Sequence, residues 1–132
     1  MIDHLSTYAT DYDRTKYFYQ SIFEVLGCSL QTEFVAEWNT GFPTQRICAF
    51  GPPEGKPNFW IIETKEKYTP RHIAFSANSR SVVEKFYSAG IANGGVDNGS
   101  PGLRPLYHPN YFGAFLLDPD GNNIEAVCHA AE

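Results

Sequence analysis

Two histidines and two glutamates are distributed along this chain in a way that could hold a divalent metal. His4 and His72 lie 68 residues apart, and Glu63 and Glu125 each follow an isoleucine near the end of a strand-like run. Imidazole and carboxylate ligands suit zinc, nickel, manganese, cobalt or iron, and such a metal polarises an oxygen of a bound substrate. Alternation along residues 123–128 puts Asn123, Glu125 and Val127 on one face of a strand and Ile124, Ala126 and Cys128 on the other. If the second set packs under a helix, Glu125 points into whatever the sheet encloses. A carboxylate there needs a counter-charge, hydrogen bonds or a metal.

A further cluster stands ahead of this strand: Arg104, Tyr107, His108, Asn110 and Tyr111. Arg104 suits a substrate carboxylate or phosphate, His108 suits proton donation, and Tyr107 and Tyr111 offer contact with a bound molecule. The same residues also read as a loop pinned by aromatic packing. Trp38 and Trp60 could line an apolar pocket, with the core as the alternative place for Trp60. His129 reads as exposed.

The elements that must position these groups come from an internal repeat. Sliding residues 4–27 along by 68 pairs His4 with His72, Ala9 with Ala77, Phe18-Tyr19 with Phe86-Tyr87, and Gly27 with Gly95. Residues 2–8 read as a strand, followed by capping side chains at Asp11 and Asp13 and an amphipathic helix over 14–26 that Gly27 stops. Strands over 28–36, 45–50 and 58–64 complete the first half as β-α-β-β-β. The second half restarts with a strand over 72–77 and a helix that a capping box at Ser81-Val82-Val83-Glu84 opens. Residues 93–105 are rich in Gly, Asn, Ser and Pro and read as mostly loop, a candidate site lid, with one short strand near Leu106 and Tyr107. Strands over 111–117 and 123–128 form a closing hairpin around Asp118-Pro119-Asp120-Gly121. Matching Glu63 to Glu125 takes an offset of 62, which requires a six-residue deletion in the second half.

At 132 residues the chain has the length of one domain made of two modules, about 1–66 and 67–132, each marginal as a separate fold. Hydrophobic residues at 42% supply a core, which argues against disorder. A net charge of -5 argues against nucleic acid or an anionic membrane as the main partner and leaves a small molecule or a protein. With no apolar run of membrane-spanning length and no signal-peptide pattern at the N-terminus, the expected location is cytoplasmic. Cys28, Cys48 and Cys128, odd in number and widely spaced, read as reduced thiols.

Ile2-Asp3-His4-Leu5, the helix with Phe18-Tyr19 ending at Leu26-Gly27, Arg71-His72-Ile73-Ala74-Phe75, and Asp118-Pro119-Asp120-Gly121-Asn122-Asn123-Ile124-Glu125 resemble the glyoxalase/bleomycin resistance/extradiol dioxygenase superfamily, also called vicinal oxygen chelate. The resemblance covers nearly the whole chain. It implies an α+β fold of two paired β-α-β-β-β modules whose curled sheets surround a cup, and a homodimer in which modules close within one chain or swap between two. It also implies a divalent metal on His4, Glu63, His72 and Glu125, with Glu125 as catalytic base and Glu63 its partner across the metal. The expected function is a glyoxalase-like lyase or isomerase that stabilises an enolate of a small oxygenated or thiol-conjugated substrate. Two alternatives stand beside it, a non-catalytic binder of the antibiotic-sequestering type and an extradiol ring-cleaving dioxygenase. The dioxygenases of the family carry a Tyr shortly before the Asp-Pro-x-Gly turn, where this chain has Phe115. Phe cannot transfer a proton, which disfavours ring cleavage unless Tyr111 substitutes.

Overall fold

The computed structural model describes all residues, 1–132. Ten elements follow one another as β1 (Leu5–Ala9), α1 (Tyr12–Val25), β2 (Ser29–Val35), β3 (Arg46–Gly51), β4 (Phe59–Glu63), β5 (His72–Ser76), α2 (Arg80–Ala92), β6 (Val96–Leu103), β7 (Phe112–Leu117) and β8 (Asn123–Cys128). They form two open, curled four-stranded sheets ordered β1-β4-β3-β2 and β5-β8-β7-β6. In each sheet the first and last strands of the module run parallel and the other pairings are antiparallel. This is the α+β arrangement of paired β-α-β-β-β modules that the sequence predicts.

The helices form where capping chemistry and an apolar stripe coincide. Asp11 caps α1 by accepting from the Arg14 backbone N–H, and Phe18, Tyr19, Ile22 and Phe23 bury its inner stripe. Ser79 caps α2 by accepting from Val82, two residues ahead of the expected capping box at Ser81. Ser79 has Val82 three residues on, so it caps the helix with its hydroxyl alone, without the Glu that completes a capping box. Val83 and Phe86 then bury the inner stripe of α2.

Both helices contribute to one core that also takes Ile61 from the first sheet and Leu116, Ile124 and Ala126 from the second. Phe23 of α1 meets Phe59 of β4 and Phe75 of β5 at ring centroid separations of 5.0 and 5.2 Å, stitching the modules together. Losing a buried ring of this kind costs about 3–5 kcal/mol.

The sequence reading differs from the structure at β6. Residues 96–103 pair with β7 through two register shifts, although their Gly, Pro, Asn and Ser content reads as loop. Partner β7 supplies the apolar side chains, so β6 needs only a backbone that hydrogen-bonds. The short strand expected near Leu106 and Tyr107 is instead a turn.

Candidate functional site

Each sheet has one face under the helices and one open face, and strand register decides which side chains share the open one. In the second sheet, Ile73 and Phe75 of β5 and Ile124, Ala126 and Cys128 of β8 face the core. By alternation, His72, Ala74, Asn123, Glu125 and Val127 lie on the open side. His72 and Glu125 come together there, with Nε2 of the imidazole 3.1 Å from Oε2 of the carboxylate. Glu125 is only 1% exposed, and its Oε1 accepts a hydrogen bond from the Tyr111 hydroxyl. Burial, with the Glu125 bond adding to it, pushes the Tyr111 hydroxyl up to about 12, so Tyr111 remains a donor at neutral pH.

The donor set around His72 fits a cation. Nδ1 lies 3.1 Å from the Asn123 carbonyl oxygen, which only accepts, so Nδ1 carries the ring's proton. In the neutral ring Nε2 is then a bare lone pair facing a carboxylate oxygen, and a proton or a cation must stand between them. A backbone carbonyl on the far nitrogen is the usual orienting partner of a metal-ligating histidine. At ligand distances of about 2.0–2.2 Å, neighbouring N and O ligands fall about 3 Å apart.

The first sheet presents a different open face. Leu5 pairs with Phe59 and Ser6 with Trp60, while Ile73 pairs with Ile124 and Ala74 with Glu125. Leu5 and Ile73 are related by the 68-residue repeat, so Trp60 holds the position that Glu125 holds in the second sheet. His4, just ahead of β1, lines a shallow depression with Ser6, Phe34, Ile47, Trp60 and Ile62. Its Nδ1 donates to Asp3 Oδ1 at 2.6 Å, which leaves Nε2 as the free ring nitrogen.

Glu63 does not join this face. It pairs with Ala9 at the far end of β4, its repeat counterpart being Cys128, and it lies on the same side as buried Phe59 and Ile61. There Arg46 binds it with Nη2 at 2.7 Å, Nε at 3.1 Å and the backbone N–H at 2.9 Å. The Arg46 guanidinium holds the Glu63 carboxyl below its usual range. The Ile-Glu echo in the sequence therefore aligned two glutamates from opposite faces. The register difference between the modules is three residues, not six, and an odd number turns a strand side chain over.

Of the other residues singled out, Tyr111 reaches Glu125 directly, whereas His108 Nε2 lies 2.7 Å from Nδ1 of His129. Tyr107 packs edge-on against Tyr111 and is largely exposed. Arg104 lies over the Phe115 ring at 5.4 Å, and Phe115 in turn stacks with His72 at 6.3 Å. Phe115 pairs with Glu125, which makes it part of this face, a role its apolar character did not signal. Within one chain no three His, Cys, Asp or Glu side chains converge as a metal site, so His4 does not join His72 and Glu125.

A model of the Glyoxalase/Bleomycin resistance protein/Dioxygenase superfamily matches residues 1–126. The chain belongs to this superfamily. Its solved structural neighbours include a glyoxalase/bleomycin resistance protein from Albidiferax ferrireducens T118, at 27% identity and TM-score 0.72, with 96% of this chain and 97% of that one covered. A lactoylglutathione lyase from Agrobacterium tumefaciens matches at 18% identity and TM-score 0.66, covering 97% and 92% of the two chains. A glyoxalase I variant from Zea mays shares the fold at 20% identity and TM-score 0.73, and this chain spans 46% of its length. No curated protein matches the chain. The superfamily includes glyoxalase I lyases and dioxygenases, and its members typically bind divalent metal ions.

Proposed function

We propose that this protein is a metal-dependent lyase or isomerase of the glyoxalase type, with His4, His72 and Glu125 as metal ligands and a second copy of the chain completing the site. The observation that carries the reading is the His72 Nε2 to Glu125 Oε2 approach at 3.1 Å, around a buried carboxylate and a histidine whose other nitrogen is tied to a carbonyl. Because His4 stands on the other sheet, the partner copy would bring it, and an isologous dimer would contain two such sites. Two histidines and one carboxylate leave open coordination positions for substrate.

A divalent metal held there would supply Lewis-acid polarisation of a substrate oxygen. The chain's own groups do the rest. His72 stays oriented through its bond to the Asn123 carbonyl. Glu125 accepts the proton that leaves a substrate carbon, and the Tyr111 O–H steadies the carboxylate before and after that transfer. Trp60, with Phe34, Ile47 and Ile62, gives the opposing half an apolar wall that excludes water.

Trp60 also favours the second reading, a non-catalytic small-molecule binder, because it puts an aromatic surface where a fourth ligand would otherwise stand. Complementation separates the two. His4→Ala and His72→Ala proteins are prepared separately, then unfolded together and refolded, and nickel, zinc, manganese, cobalt and iron uptake is measured. Each variant alone should bind no metal tightly, and the mixture should regain a site in its mixed dimers. Metal uptake by neither wild type nor mixture would leave the binder reading; uptake by wild type without complementation would place the ligands within one chain.

A further inference from the structure

We propose that Arg104 anchors a carboxylate of the ligand, so that the molecules taken at the open face of the second sheet are organic acids. This rests on the reading of that face as the substrate site.

The position of the guanidinium is the first reason. Phe115 pairs with Glu125 on one side and with Gly99 on the other, so these residues form one row across the sheet. The Arg104 guanidinium lies against Phe115 at 5.4 Å, and His72 stacks with the same ring at a centroid separation of 6.3 Å. A cation therefore stands one aromatic side chain away from the His72–Glu125 pair. Strand β6 makes room for it: a Cβ at Gly99 would come within 3.3 Å of Nη2, and one at Gly102 within 3.1 Å of Nη1.

Its unused hydrogen-bonding capacity is the second reason. No carboxylate forms an ion pair with Arg104, although the chain carries 15 acidic residues against 10 basic ones. Its polar contacts are two backbone carbonyls, Ser100 at 2.8 Å and Leu103 at 3.5 Å. A guanidinium has five N–H donors, so several are left for a ligand. Arg46, by contrast, is engaged by both Glu63 and Asp13.

The choice of anion follows from shape: a planar carboxylate presents two oxygens in one plane to two parallel N–H donors of the fork.

The test uses the full chain freed of metal by chelation and three probes with the same aromatic body: 3-phenylpropionate, its primary amide, and 2-phenylethylphosphonate. Binding is followed by nuclear magnetic resonance through the Arg104 Nε–H and the neighbouring backbone amides. The acid should bind wild type about tenfold more tightly than the amide, the ratio expected of one charge-assisted hydrogen bond, and should shift the Arg104 resonance. Arg104→Gln should erase that preference with a melting temperature close to wild type. Arg104→Lys, which keeps the charge and loses the fork, should reduce the preference at least about threefold, and it decides the matter if Arg104→Gln does not fold. Equal binding of acid and amide, tighter binding of the phosphonate, no saturable binding of the acid at millimolar concentration, or a preference that survives both substitutions would overturn the proposal. Because no metal is present in the experiment, its failure leaves the metal reading standing, and loss of metal binding by wild type leaves this result readable.

Discussion

The two open faces descend from the same repeat, yet they carry opposite chemistry. Across the second sheet, Ala74, Glu125, Phe115 and Gly99 form a row with a buried carboxylate in it. Across the first, the matching row is Ser6, Trp60, Ala49 and Thr32. One half brings an imidazole and a guanidinium near a buried carboxylate, and the other offers an indole surface with a single histidine at its edge. The difference teaches that the repeat preserved the scaffold, in particular the helix stripe and the parallel pairing of first and last strands, while the open-face positions diverged. A site built by bringing one face of each kind together has a polar floor and an apolar wall, which neither face supplies alone.

Substitutions that erase the difference should act in a definite order. Glu125→Gln removes the carboxylate from the polar face, and metal affinity measured by competition with a chelating dye should fall by about a hundredfold or more. Trp60→Glu makes the faces alike by adding a fourth ligand, the second carboxylate of the set, and affinity in the same assay should rise about tenfold. If it stays unchanged, Trp60 does not stand beside the metal. Glu63→Gln changes a residue on the helix side, so metal affinity should equal that of wild type. Denaturant unfolding should show a loss of about 1 kcal/mol after allowance for solvent screening of the half-exposed Arg46.

The smallest effect is on acid sensitivity. Arg46 holds the Glu63 carboxyl below its ordinary value of 4.5, and Lys16, helped by Tyr12, does the same for Glu33. A carboxyl depressed by folding contributes stability that is present above the unfolded value and is lost as pH falls through the folded value. Unfolding free energy should therefore decline below about pH 4.5, and Glu63→Gln should decline less steeply there than wild type. Asp118 acts in the opposite sense, since burial raises its carboxyl, and it blunts the decline in both proteins alike. Identical slopes for wild type and Glu63→Gln would show that the Arg46 pair does not couple to folding.

The Asp118-Pro119-Asp120-Gly121-Asn122 motif, the most specific piece of the resemblance, is legible for a structural reason. Asp118 is buried and accepts from the Tyr19 hydroxyl at 2.6 Å, from the backbone N–H groups of Asp120 and Asn122, and from the Asn122 side chain. Asn122 also accepts from the Arg71 N–H at 2.8 Å and donates to the Tyr68 hydroxyl. The turn thus ties β8 to α1 and to the residue just before His72. A network with this many mutual partners tolerates few replacements, because each would strand a buried polar group. Its apparent link to Glu125 is positional: the turn sets where the next strand begins.

The amino-acid sequence by itself determined the module pattern, the helix stripes, the closing hairpin, the family, and the candidacy of His72 and Glu125. These follow from periodicity, capping and turn chemistry, which are local and act wherever the chain goes. Tertiary structure alone decided that Glu63 faces α1, that Trp60 holds the position matching Glu125, that Phe115 and Arg104 share a face with Glu125, and that His4 is held on the other sheet. The physical reason is the two-residue period of a strand. A three-residue difference in loop length between the modules is invisible as composition, yet it reverses which face a side chain joins, and only the pairing of β1 with β4 shows it.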